Sequence, residues 1–153
     1  MIFVDISPKQ AEQYSYMCNR LRQTVNTLHT ARKNLERIAN TSFDKSFAKC
    51  VYQLTSESLQ CENEIRAHID SLNCSIYDEE ANEDKKIPVF SAITGLDSVC
   101  KYFEEVYLKS YKRLLIDKNL GSSIKSLIQN QLQMFTSILT QLRLFNDVNP
   151  VAN

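Results

Sequence analysis

The sequence predicts an all-α protein, an antiparallel four-helix bundle built from two helical hairpins. Apolar residues recur at steps of three and four along most of the chain. Only two Gly and three Pro punctuate its 153 residues, too few for a sheet with many turns. The last segment also carries a heptad-like seam. There Ile124, Ile128, Phe135, Ile138, Leu142 and Phe145 step by fours and threes, with Gln131 in the one gap. That is the period of a helix packed nearly parallel to its neighbours. The length suits a single domain, 1–153, with one core.

The first helix, about 8–40, opens on Ser7, Pro8 and Gln10, which read as a capping box. Its stripe is Tyr14, Met17, Leu21, Val25, Leu28, Ala31, Leu35 and Ile38, with polar residues between. Thr41 or Ser42 caps a second helix, about 42–76, and Asp44 stands in its first turn, where the helix dipole favours negative charge. Phe43, Phe47, Val51, Leu54, Cys61, Ile65 and Leu72 form its stripe.

An acidic connection, 77–90, has no periodicity and reads as a solvated loop ended by Pro88. The third helix, about 91–117, carries Leu96, Cys100, Phe103, Tyr107, Tyr111 and Leu114 on its stripe, and Gly121 marks the turn into the fourth, about 121–147. The first and last connections are short, so each joins an antiparallel pair. The middle one can extend about 45–50 Å, comparable to a thirty-residue helix of about 45 Å. It is long enough to run the length of the bundle. Laying the second half on the first puts Leu120 on Phe43, Ile124 on Phe47 and Leu142 on Ile65, which suits two similar hairpins.

Charge narrows the function classes. Lys and Arg number 18, as do Asp and Glu, and a neutral chain lacks the basic surplus of a general nucleic-acid binder. No apolar run has the length of a secretory signal core or a membrane span. Cys18, Cys50, Cys61, Cys74 and Cys100 form an odd set without a CxxC pair or a zinc-like cluster. They read as reduced, mostly buried thiols of a cytoplasmic protein.

Two segments carry a resemblance. One runs from Thr27 to Ala39, continuing to Phe47 and to the helix end at Glu64–Leu72; the other runs from Cys100 through Glu104 and Glu105 to Tyr111, followed by Leu120, Ile124, Gln131 and Leu139–Arg143. Together, over roughly 20–147, they resemble a small bacterial ferritin-like four-helix-bundle family of uncharacterised function. The shared pieces are a Cys-x-x-x-Glu start to the third helix, a Tyr seven residues on and a Gln in the fourth. The resemblance implies a ferritin-like fold in a cytoplasmic bacterial protein and no particular activity. The helix before Asn19 and the acidic connection depart from that pattern.

A ferritin-like fold raises the di-iron carboxylate site, which needs one Glu from each of two helices and Glu-x-x-His from each of the others. Glu-x-x-His occurs nowhere in this chain, and the stretch from Leu120 to Asn146 has no Asp, Glu or His. An intact di-iron site is therefore not expected, and no cofactor is. Glu57, Glu64, His68 and Glu104 are the residues to test for a degenerate or unconventional metal site, since Glu64 and His68 share one helical face. His29, with Lys33 four residues on, and His68 raise histidine phosphotransfer as a weaker alternative; both read first as ordinary boundary histidines. Gln131 is expected inside the core with its amide bonded, for which Glu57, Ser110 and Tyr111 are candidates.

The outer side of the fourth helix is the more useful clue. Gln129, Asn130, Gln133, Ser137 and Gln141 are polar but uncharged, and Lys125 is the only charge between Leu120 and Leu142. Solvated helices ordinarily carry Glu and Lys, whereas depletion of charge marks surface covered by protein. The expectation is a non-enzymatic interaction or assembly protein, a homo-oligomer contacting through this face, with an unidentified protein partner as the other occupant and without nucleic acid or membrane as partner.

Overall fold

The structure is a computed structural model and describes residues 8–72 and 95–148. Among them every regular element is helical: α1 (Pro8–Thr41), α2 (Lys45–Ser71), α3 (Leu96–Phe103), a π-helical segment (Glu104–Leu108), α4 (Lys109–Ile116) and α5 (Ser122–Val148). The expected all-α class holds. α3, the π segment and α4 form one rod, because the residues joining them, Glu104 and Lys109, keep right-handed helical backbone.

Cross-helix bonds give the direction of each rod. Tyr52 donates to Asn40 and Arg32 to Glu62, so α2 runs against α1. Asn34 meets Tyr102, Leu28 meets Tyr107 and Arg20 meets Arg113, so the third rod also runs against α1. Gln131 meets Tyr111 and Arg143 meets Glu104, which sets α5 against the third rod. α2 and the third rod therefore point the same way, and Leu72 and Gly95 lie at opposite ends of the molecule. One continuous apolar core joins all the helices.

Several boundaries differ from the expectation. Ser7 and the acidic connection 77–90 lie outside the described residues. α2 is capped by Asp44, not by Thr41 or Ser42: the Phe47 N–H donates to Asp44 Oδ1 at 3.1 Å, and Ser42 Oγ accepts from the Asp44 N–H. Thr41 is still inside α1, its hydroxyl turned back on the Arg37 carbonyl. α2 spans Lys45–Ser71 with Leu72 as its C-cap, and the expected end near 76 lies outside the described residues. α3 spans Leu96–Phe103 behind Gly95, whose N–H is bonded to Ser98 Oγ, and the expected start near Ser91 lies outside the described residues. Gly121 does stand at the last turn, where its carbonyl accepts from the Lys125 N–H.

The stripes are corrected at their edges. Phe43 projects wholly into solvent from the α1–α2 turn, since it precedes the cap and lies off the helical phase. On α5 the buried set is Ile124, Ile128, Gln131, Phe135, Leu139 and Leu142, with Ile138 only partly buried and Phe145 exposed. A straight helix drifts by about 20° per heptad against a 3.5-residue seam, which carries the contact from Ile138 onto Leu139. The third-helix stripe is buried as expected, but the π segment inside it has no signal in that pattern. There the Lys109 N–H reaches the Glu104 carbonyl, five residues back, and Val106, Tyr107 and Leu108 are buried in succession.

Candidate functional site: a buried ionic cluster between α1 and α2

Arg32 falls on the heptad phase of Cys18, Leu21, Val25, Leu28, Leu35 and Ala39, and Glu62 lies on the inward side of α2 next to Cys61. Packing those two faces together brings their charges into the interior. Arg32 Nε donates to Glu62 Oε2 at 2.6 Å and its Nη2 to Oε1 at 3.3 Å, a forked pair. Glu62 is completely buried and Arg32 nearly so. Arg32 Nη1 also bonds Glu36, one turn along α1, and Nη2 lies 2.9 Å from His29 Nδ1. The same His29 nitrogen is 3.3 Å from Glu62 Oε1. Arg66 Nη1 reaches within 4.0 Å of Glu62 at the rim, and Lys33 within 3.9 Å of Glu36. Burial draws the Arg32 guanidinium down, but its bonds and charge contacts with Glu62 and Glu36 outweigh that and raise its pKa.

The π segment closes the cluster from the opposite rod. Tyr107 donates to the Leu28 carbonyl at 2.7 Å, and its ring stacks on Phe103 with centroids 4.0 Å apart. Burial, with the Glu62 charge second, holds its hydroxyl well above the usual tyrosine range. One turn on, Tyr111 donates to Gln131 Oε1 at 2.8 Å; Gln131 Nε2 donates to the Cys61 carbonyl at 3.3 Å and to Glu64 Oε1 at 3.1 Å. Gln131 is thus buried and bonded as expected. Of its three candidate partners only Tyr111 takes part, and Glu64 supplies the carboxylate in place of Glu57.

The residues singled out for a metal do not converge. Glu57, Glu64 and His68 lie along α2, the outer two more than three turns apart, about 16 Å. Glu104 pairs with Arg143, roughly 18 Å along α5 from the Gln131 that holds Glu64. Among the described residues no three His, Cys, Asp or Glu are grouped so as to hold a metal ion. Lys33 contacts Glu36, while His29 is engaged by the ion pair. Gln129, Asn130, Gln133, Ser137 and Gln141 are all exposed along α5, and exposed Leu144, Phe145 and Val148 follow them. No helix among the described residues is long and apolar enough to cross a membrane.

The cysteines depart from the expectation in one respect. Cys50, Cys61 and Cys100 are free thiols, but Cys18, wholly buried on α1, is disulfide-bonded. The expectation for Cys74 lies outside the described residues. Odd count and wide spacing are silent on pairing, which depends on where the fold brings two thiols together. Burial pushes the Cys61 thiol up to about 12 and the Cys100 thiol to about 11.

Sequence reasoning missed Arg32 and Glu62, although the signal was present. A charge at a seam position of each of two neighbouring helices is the pattern of a paired interior ion. No protein-family model, curated protein or solved structure matches the chain.

Proposed function

We propose that this protein is a non-enzymatic, ferritin-like helical bundle whose role is assembly, and that copies of it associate through the outward face of α5. The observation that carries this reading is the exposed, uncharged run of Gln129, Asn130, Gln133, Ser137 and Gln141, continued by exposed Leu144, Phe145 and Val148. Side chains that hydrogen-bond without charge meet a second copy of the same face without like-charge repulsion, and the apolar residues beside them gain by leaving water. The shared direction of α2 and the third rod supports the ferritin-like part, because that topology places one long connection between two hairpins. A bundle without catalysis is supported by the state of its interior groups: the carboxylate is held by a guanidinium and the phenols and thiols are held protonated.

A cytoplasmic site has three free cysteines in its favour and the Cys18 disulfide against it. Light scattering across a range of concentrations tests the assembly. Association that Gln133→Glu with Ser137→Glu abolishes supports it, and a monomer throughout removes it. Elemental mass spectrometry of protein purified without chelator tests the rival metal reading. Near-stoichiometric metal that disappears in Glu64→Ala or His68→Ala would replace this proposal.

A further inference from the structure

We propose that His29, Glu36 and Glu62 form a receptor for a planar guanidinium-type cation, which the folded chain fills with its own Arg32. Four contacts, three of them to carboxylate oxygens, surround the Arg32 head group. Glu62 takes Nε and Nη2 from one edge at 2.6 and 3.3 Å, Glu36 takes Nη1, and His29 Nδ1 faces Nη2 at 2.9 Å. A guanidinium offers donors in a rigid plane, and this set answers them along its edges. A metal ion asks instead for donors drawn in to about 2.0–2.2 Å around a point, and no described group is arranged that way. An ammonium is a compact point charge without the fork.

The backbone of α1 holds His29 and Glu36 on either side of Arg32, one turn before and one after, while α2 supplies Glu62 from across the interface. The acceptors therefore do not depend on the Arg32 side chain for their placement along the helices. Truncating that side chain empties the volume between them and leaves an approach past His29, whose side chain is partly exposed. A free guanidinium compound that binds there stabilises the folded state by mass action.

The experiment is thermal unfolding of Arg32→Ala with added methylguanidinium in the low millimolar range, far below denaturing concentrations. A saturable rise in Tm is expected, absent in the unaltered protein and in Arg32→Ala/Glu62→Gln. Equal rises with methylammonium or Zn²⁺, or no rise with methylguanidinium, would overturn the proposal. Where Arg32→Ala does not fold by itself, circular dichroism reads the same question. Helix regained on adding methylguanidinium supports the receptor, and a chain that stays unfolded while Arg32→Lys folds counts against it.

Discussion

Arg32 Nε lies 2.6 Å from Glu62 Oε2 with both side chains shut off from water, so the centre of the α1–α2 interface is held by two charges that depend on each other. Each has lost its hydration, and the loss is offset chiefly by the other, with Glu36 beside Arg32 and His29 and Arg66 near Glu62. Glu62→Ala is expected to lower stability by about 3–5 kcal/mol. The double change Arg32→Met/Glu62→Leu should recover most of that, because well-packed apolar replacements carry no desolvation penalty. Urea unfolding of Arg32→Met, Glu62→Leu and the double variant measures the coupling, and simple additivity would refute it.

Gln131 and Tyr111 form a second, uncharged tie. Tyr111→Phe removes the donor to Gln131 Oε1 and leaves a buried acceptor unmet, at a cost of about 1–3 kcal/mol. Thermal melts of Tyr111→Phe and of Tyr111→Phe/Gln131→Leu should place the double variant above the single one.

Alkali should unfold this protein through its thiols. For Cys61 and Cys100 the folded pKa values, about 12 and about 11, stand above the ordinary 9.0. Below pH 9 both folded and unfolded states keep these protons. Above it the unfolded chain releases them and the folded one does not, so stability falls by about 1.4 kcal/mol per pH unit for each thiol. The decline continues until the pH passes the folded values, and the buried tyrosines act in the same direction. Denaturant titrations from pH 8 upward should show this slope, and Cys61→Ala should make it shallower.

Asp44→Ala is expected to cost about 1 kcal/mol through loss of the α2 cap. Thr41→Ala should be close to neutral, because Thr41 only bonds back within its own helix. Chemical denaturation of the two variants distinguishes these positions, and equal losses would contradict the cap at Asp44.

Reduction should lower the unfolding midpoint. Alkylating the denatured but unreduced protein is expected to label Cys50, Cys61 and Cys100 and to spare Cys18. Breaking the disulfide is expected to remove about 2–4 kcal/mol. Mass mapping of the labelled peptides with and without reductant checks both, and a labelled Cys18 without reductant would negate them.

The sequence made the helical class and most of the core legible, because an inward side chain every three or four residues leaves a trace that needs no knowledge of neighbours. Leu21, Leu28, Val51, Ile65, Phe103, Tyr111 and Ile128 all follow from that period and all are buried. Phe43 did not, since an apolar residue in a turn looks like one on a stripe until the cap is located. Cys18 was misread because pairing depends on distance in space. Arg32 and Glu62 were passed over for a different reason: a charge is taken as a mark of the outside, and only the opposed charge on the next helix reverses that meaning. The α5 face was legible as composition, with its exposure supplied by the fold.

The π segment bears on how this fold tolerates changes in length. An extra residue in a regular helix turns everything after it by about 100°, which would swing Tyr111 and Leu114 away from the interior. A wider turn between Glu104 and Leu108 takes up one residue locally, so the rod before it and the rod after it keep their own phases. Deleting a single residue there should restore an unbroken α-helix and leave α4 facing the same way. Insertions and deletions are ordinarily confined to loops, but in this chain a mid-helix position is where one more or one fewer residue can be absorbed.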